Sequence, residues 1–415
     1  MFNPRVGNSR SRRLLPALLA TLLLALVGSA VGAGVANAPP PAPGGGNLAG
    51  DQQKFLQLAE TGVQNINRYW FNSRTDWYND RLARGQDGKA PIWTTVHLFS
   101  ALNGIAQAAP TAANKRAVEW FADRAYREYW DPQVGHIPHT RKHIGGFDPS
   151  TRETKGPRAH AFFDDNGWLG LAFLEAFRIT RVKRYLTYAD DAFQFIAQAG
   201  WASGVGGGVW WDTGHASRSS ESIASGSALG AMLYYTTRRK SYLGTTQKFI
   251  SWANAHIWDA MNGLYMRDVD SPILMGYVQS PFMLAYVSLC QTTKNDTLCD
   301  QAEQLGNSSL AEFSGALHHG PQYDAEYLHW MLNLYAQDHD PRWYSLAVAN
   351  AQRALANAQN KQGLFLKAWD GTRAPDAPTD SLKIDAATVS VFAWLAAATP
   401  PSPAASGNPS GGVSG

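Results

Sequence analysis

Helical segments that pair up and recur about every fifty residues constrain this chain more than any other feature. Apolar residues at helical spacing mark twelve stretches: 51–71, 92–109, 113–129, 163–180, 182–199, 219–238, 241–258, 277–293, 296–313, 322–337, 341–359 and 382–398. Short polar breaks join several pairs, as at Ile179-Thr180-Arg181 and from Gln337 to Pro341, where Asp340-Pro341 also signals a helix start. After the second helix of a pair comes a glycine-containing, strand-like snippet. These snippets are Gly135-His136-Ile137, Gly207-Gly208-Val209-Trp210-Trp211, Gly263-Leu264-Tyr265-Met266, Gly315-Ala316-Leu317 and Gly363-Leu364-Phe365-Leu366. From Gly208 the steps are 55, 52 and 48 residues, the length of one helical hairpin plus a short connection. Twelve helices in six hairpins predict an all-α fold, a closed (α/α)6 barrel, with an open α-solenoid of the same hairpins as the alternative. The long insertion between Tyr129 and Phe163 disfavours a uniform solenoid, and structured insertions of that kind are often functional.

The two ends of the chain differ from this pattern. Residues 1–38 read as an export signal: Arg5, Arg10, Arg12 and Arg13, then an apolar run from Leu14 to Val27, then Ala36-Asn37-Ala38 as a small-residue cleavage site. Ser11-Arg12-Arg13 before leucines also fits a twin-arginine signal, and both export routes stay open. Residues 39–50 form a Pro/Gly linker, 51–398 the barrel domain, and 399–415 a Pro/Ser/Gly tail with no reason to fold. Without the leader's four arginines the net charge of +3 becomes −1. That balance excludes the electrostatic footprint of a nucleic-acid binder. The expected location is secreted or periplasmic, with no membrane anchor after signal cleavage. In an oxidising compartment Cys290 and Cys299, nine residues apart across a helix–helix turn, are expected to form a disulfide rather than remain two buried thiols.

Asp164-Asp165-Asn166-Gly167-Trp168 opens a helix and follows Ala161-Phe162-Phe163. Acids in a first turn complement the helix dipole, which is the plain structural reading. Bulky apolar neighbours, however, predict that these acids are not on an open surface. Two crowded carboxyls split their proton affinities. Side chains on successive helix positions can still bring carboxyls about 5 Å apart, near the geometry of a retaining glycosidase. Asp190-Asp191 is a control: a double acid in mid-helix with no Gly-Trp after it, read as a solvated face. The second feature is Gly206-Gly207-Gly208-Val209-Trp210-Trp211-Asp212, where paired indoles can offer flat faces to sugar C–H groups or simply pack a loop onto the barrel. The glycine run lacks the Lys-Ser/Thr of a phosphate loop.

Together these two motifs, about forty residues apart, resemble glycoside hydrolase family 76, in which endo-α-1,6-mannanases on (α/α)6 barrels are best known. The order of helices and snippets fits that family across residues 51–398. The resemblance implies that Asp164 is the nucleophile and Asp165 the general acid/base, with Trp168, Trp210 and Trp211 near the cleft. It also leaves Tyr277 and Gln279 as sugar contacts, although Tyr277-Val278-Gln279-Ser280 stands where the family has Tyr-Asn-Gln-Gly. The chain departs further at Ser219–Ser225, in place of an Asn-rich helix start, and at Tyr323-Asp324-Ala325, in place of Phe-Lys-Gly. Glu221 and Asp324 fall in these departures and read as surface acids.

His136, His139 and His143 read as loop histidines, because Pro138 breaks any helical ligand spacing and no cysteine adjoins them. No metal and no cofactor is called for. No Gly-x-Ser-x-Gly elbow points to a serine hydrolase. The function expected is a retaining glycoside hydrolase cutting inside an α-1,6-linked mannan or a related α-mannose polymer, acting as a monomer on polysaccharide or oligosaccharide. Its rivals are a transglycosidase on cell-wall glycan and a non-catalytic glycan-binding protein on the same barrel.

Overall fold

Among the described residues twelve α-helices form where the apolar period placed them, with ends that differ by at most two residues. The computed structural model describes residues 50–82, 88–149, 160–269 and 271–401. The signal assigned to 1–38, nearly all of the 39–50 linker and the tail beyond Pro401 lie outside the described residues. The helices are α1 (Gly50–Tyr69), α2 (Ile92–Ala108), α3 (Ala112–Tyr129), α4 (Phe163–Thr180), α5 (Lys183–Ala199), α6 (Ser220–Thr237), α7 (Lys240–His256), α8 (Gly276–Thr293), α9 (Asp296–Glu312), α10 (Pro321–Asp338), α11 (Pro341–Asn357) and α12 (Leu382–Ala397).

Two kinds of helix alternate. The even-numbered helices are buried nearly all round: every residue of α6 from Ser220 to Leu233 is buried, and so is almost every residue of α2 and α12. A helix apolar on all sides belongs inside. The odd-numbered ones bury one stripe, as α5 does with Tyr185, Ala189, Ala192, Phe193 and Ile196. The even helices pack in a ring, α2 on α4, then α6, α8, α10, α12 and back to α2, while the odd ones pack outside. This is the closed (α/α)6 barrel, not the open solenoid. Five hairpins are consecutive in the chain, α2–α3 to α10–α11. The sixth pairs the two ends: α1 packs on α12, and Gln52 Nε2 donates to the carbonyls of Ala396 and Ala398.

The hairpins repeat in detail. Inner helices α4, α6, α8 and α10 each end on a residue in the left-handed region, Arg181, Arg238, Lys294 and His339, with φ of 64°, 61°, 59° and 61°. In three of them the threonine just before donates back to the carbonyl four residues earlier. At the other end, the fourth residue of an inner helix tethers the snippet that precedes it. Asn166 of α4 both accepts from and donates to the Phe147 backbone. Gln279 of α8 does the same with Tyr265. Asp324 of α10 accepts from Gly320 N–H, and Asp385 of α12 from Phe365 N–H.

Short antiparallel strands fill the connections: β1 (Phe71–Asn72) with β2 (Trp77–Tyr78), β3 (Trp130–His136) with β4 (His143–Phe147), and β5 (Trp258–Asp259), β6 (Leu264–Asp268) and β7 (Ser271–Leu274) in one sheet. The β3–β4 hairpin occupies the first half of the insertion noted above, and His136 and His143 face each other across it. The Cys290–Cys299 disulfide is formed, tying α8 to α9 with 5.5 Å between Cα atoms. Among the described residues no helix is long and apolar enough to cross a membrane.

Candidate active site

The first turns of the six inner helices gather at one mouth of the barrel. Ring contacts show it: Trp93 of α2 lies 6.3 Å from Trp168 of α4 and 5.9 Å from Tyr323 of α10, and Tyr277 of α8 lies 6.2 Å from Trp168 and 4.8 Å from Tyr323. These four rings form a closed aromatic circle. Asp164 and Asp165 stand beside it in the first turn of α4, Glu221 in that of α6, and Lys383 in that of α12.

The local sequence explains how the acid pair is held there. Phe162 caps α4 without a side-chain bond, and the tether comes from Asn166 instead. Gly167 lets α6 come close: a Cβ there would meet Ser225 Oγ at 2.1 Å and Ser225 Cβ at 2.5 Å. The glycine loop is stitched to the residues before the acids, with Phe163 N–H donating to Trp211 O, Thr213 N–H to Ala161 O, and Phe162 bridging Asp212. Gly206, Gly207 and Gly208 all have φ near +90°. At Gly208 a side chain would also strike the Trp252 ring at 2.7 Å. Both halves of the motif therefore form one continuous piece of wall.

Asp164 is half-buried, with one carboxyl oxygen lacking a hydrogen-bond partner. Burial first, then the charges of Asp165 and Glu221, push its proton affinity well above the carboxylate range. Asp165 is buried; burial pushes its pKa up to about 7, and the Lys383 ammonium opposes that rise. Close carboxyls of this kind titrate as a unit that shares protons. The pair can therefore hold one proton near neutral pH, which is what acid/base chemistry requires.

Glu221 and Asp324 are not surface acids. Both are 4% exposed. Glu221 accepts from the Tyr277 and Ser219 hydroxyls and from Arg267 Nε at 3.0 Å. Its burial is tolerable because three donors meet it. Asp324 is the tether of its own repeat. Tyr277 lies in the aromatic circle with its hydroxyl on Glu221. Gln279 is fully buried, and its amide is committed to the Tyr265 and Met275 backbone. Trp168 is buried within the circle. Trp210 is half-buried and stacks on His215 at 5.2 Å. Trp211 is 45% exposed and packs against Phe162, two residues before Asp164. Asp190 and Asp191 sit half-buried on the outer helix α5, and burial with the Asp190 charge raises Asp191 to about 6.

Sequence reasoning missed Trp93, Arg267, Tyr323 and Lys383. Lys383 carried a signal, because a cation in a helix's first turn opposes the dipole and calls for an anionic neighbour. Among the described residues no group of three His, Cys, Asp or Glu side chains could hold a metal ion.

A helical barrel with an acid pair in its aromatic mouth is an arrangement that can carry glycoside hydrolysis. Residues 154–329 match Glycosyl hydrolase family 76, a stretch that includes the acid pair, the glycine loop, Glu221, Tyr277 and Tyr323. The family resemblance read from the motifs therefore stands. No curated protein matches the chain in sequence. Solved structures share the fold. The GH76 α-mannanase BT2949 of Bacteroides thetaiotaomicron aligns with a TM-score of 0.72 at 18% identity, over 83% of this chain and 95% of that one. An inactive variant of the α-1,6-mannanase GH76A from Salegentibacter sp. HEL1_6, with two consecutive aspartates replaced and α-1,6-mannotriose bound, aligns at 0.65 and 17% identity, over 82% and 99%. Dfg5 from Chaetomium thermophilum in complex with glucosamine aligns at 0.65 and 15%, over 84% and 92%.

Proposed function

We propose that this protein is an exported, retaining glycosidase that cuts within α-1,6-linked mannan or a related α-mannose polymer. The observation that carries the reading is the Asp164–Asp165 pair at the mouth, where loss of solvent and the neighbouring charges keep a proton available near neutral pH. Asp164 attacks the anomeric carbon while Asp165 protonates the departing glycosidic oxygen. Asp165 then takes a proton from water, which attacks the glycosyl-enzyme and frees Asp164. Glu221, clamped by Arg267, and the rings of Trp93, Tyr277 and Tyr323 shape the sugar's seat. The α-mannose linkage follows the family and the mannanases that share the fold. Export follows from the leader.

The deciding experiment is digestion of a panel of α-mannans with chromatography and NMR of the products. Internal cleavage of an α-1,6-mannan, with the first-formed reducing end in the α configuration, is the expected result. Transfer to an added mannoside in place of water would favour the transglycosidase reading. No cleavage of any glycan by the folded protein would favour a binding protein.

The raised affinities also set a pH limb. The pair goes from two protons to one as Asp165 ionises at about 7 and keeps that one, on Asp164, to higher pH, so kcat/KM should rise as pH passes through about 7 and fall only well above it. A profile flat from pH 6 to 9 would refute this.

The three tryptophans should separate in mutagenesis. Trp211→Ala should weaken oligosaccharide binding about tenfold, as one lost stacking platform does, with Tm unchanged. Trp168→Ala should destabilise by about 3–5 kcal/mol, because it leaves a hole in the circle. Calorimetric unfolding beside binding titrations would reveal the opposite pattern.

A further inference from the structure

The inner helices α2, α4, α10 and α12 end around a cavity of about 610 Å³. Glu175, Arg178 and Ile179 of α4 line it, which places it roughly 20 Å along that helix from the acid pair. Its volume is that of a small-molecule site. Nothing in the mouth chemistry uses it.

Its wall is unusual for a barrel end. His329 stacks between Trp330, at 3.8 Å, and Trp394, at 3.9 Å, with Nε2 3.1 Å from Glu175 Oε1. Three lining residues carry buried polar atoms without a hydrogen-bond partner: His329 Nδ1, Trp330 Nε1 and Asn333 Oδ1. Each such atom costs about 1–3 kcal/mol when nothing polar reaches it, and so calls for an explanation.

Charge narrows the ligand. Glu175 and four helix C-termini, each with a partial negative charge, disfavour an anion. The Arg178 guanidinium disfavours a cation. The Gln107 and Asn333 side-chain amides on the wall both donate and accept, and a hydroxyl meets either. Trp394 keeps part of its surface exposed, and indoles pack against sugar C–H faces. We infer that this cavity is a second, non-catalytic carbohydrate site that takes a neutral hexose unit. The inference is independent of whether the mouth cleaves glycan. Thr399, Pro400 and Pro401 also line the cavity, so the chain that follows them is the rival occupant.

The test follows the tryptophan indole N–H resonances of the full chain during titration with methyl α-D-mannopyranoside. Trp330 and Trp394 are assigned by the signals lost in Trp330→Phe and Trp394→Phe. Both signals should shift saturably with a Kd below about 10 mM. They should do so equally in an Asp164→Asn/Asp165→Asn background, which separates this site from the mouth. Ala336 is exposed on the cavity wall, and Ala336→Trp should weaken the response at least about tenfold while leaving Tm unchanged. The proposal is overturned if neither indole responds, or if Ala336→Trp responds as the wild type does. It is also overturned if D-glucosamine or D-glucuronate binds more tightly. Binding that appears only after deletion of residues 402–415 would assign the cavity to the tail and overturn it too.

Discussion

Asp164→Asn should lower turnover on every glycan and aryl glycoside by about a thousandfold or more, because no glycosyl-enzyme can form. Asn keeps the shape of the side chain and removes its nucleophilic oxygen. Asp165→Asn should be equally crippled on native glycan. It should retain far more activity on an activated aryl mannoside, whose leaving group needs no proton. Azide should then partly rescue Asp165→Ala, since a small anion can attack the intermediate without general-base help. The azide product should keep the substrate's anomeric configuration.

The electrostatics make this experiment a real contest between two assignments. The family resemblance gives Asp164 the nucleophile's role, which requires it to be ionised when the sugar is bound. In the free protein the neighbours press the other way. Asp165 and Glu221 raise Asp164, while Lys383 favours the Asp165 carboxylate. A proton on Asp164 in the empty mouth must therefore pass to Asp165 on binding. Positive charge developing at the anomeric carbon supplies a reason, because it favours an anion on the attacking side. If azide rescues Asp164→Ala instead, and Asp165→Asn is dead on activated substrate, the roles are reversed in this chain. Full activity in either Asn variant would remove the mechanism altogether.

The architecture was legible because its signals are local. A helix apolar on all sides and one apolar on a stripe differ within a single window of sequence, and the glycine snippets punctuate them. The acid pair was legible for the same reason, as a short motif with bulky neighbours. The rest of the mouth depends on residues that meet only through ring closure. Glu221 sits among serines in a first turn and reads as a surface acid. Its burial rests on Arg267 and Tyr277, 46 and 56 residues further on. Gln279 failed in the opposite sense. A polar residue two places from Tyr277 reads as a contact, yet it holds the fourth position of α8, where the repeat needs a tether. Trp93 reads as core from its apolar helix, although the second residue of α2 lies at the mouth.

That same repeat yields a prediction about how stability depends on pH. Asp385 occupies the fourth position of α12, as Asn166 does in α4. It accepts from Phe365 N–H, while its other oxygen is buried without a partner. Burial lifts its pKa to about 8, a rise that the Phe365 bond only partly opposes. A carboxyl whose proton affinity is higher in the folded state than the ordinary value near 4 stabilises the fold at low pH. That contribution is complete below about 4 and is lost progressively as pH rises toward 8. Each unit in between is worth about 1.4 kcal/mol. Asp385→Asn keeps the acceptor for Phe365 and cannot ionise. Relative to wild type it should therefore gain roughly 2–3 kcal/mol between pH 5 and pH 7.5. Urea unfolding of both proteins at the two pH values measures this difference of differences. Asp164, Asp165 and Asp324 titrate in both proteins and largely cancel. An Asn variant offset from wild type by the same amount at both pH values would show that Asp385 enters the fold already ionised. The tether would then be a charged one, matched by a donor on its second oxygen.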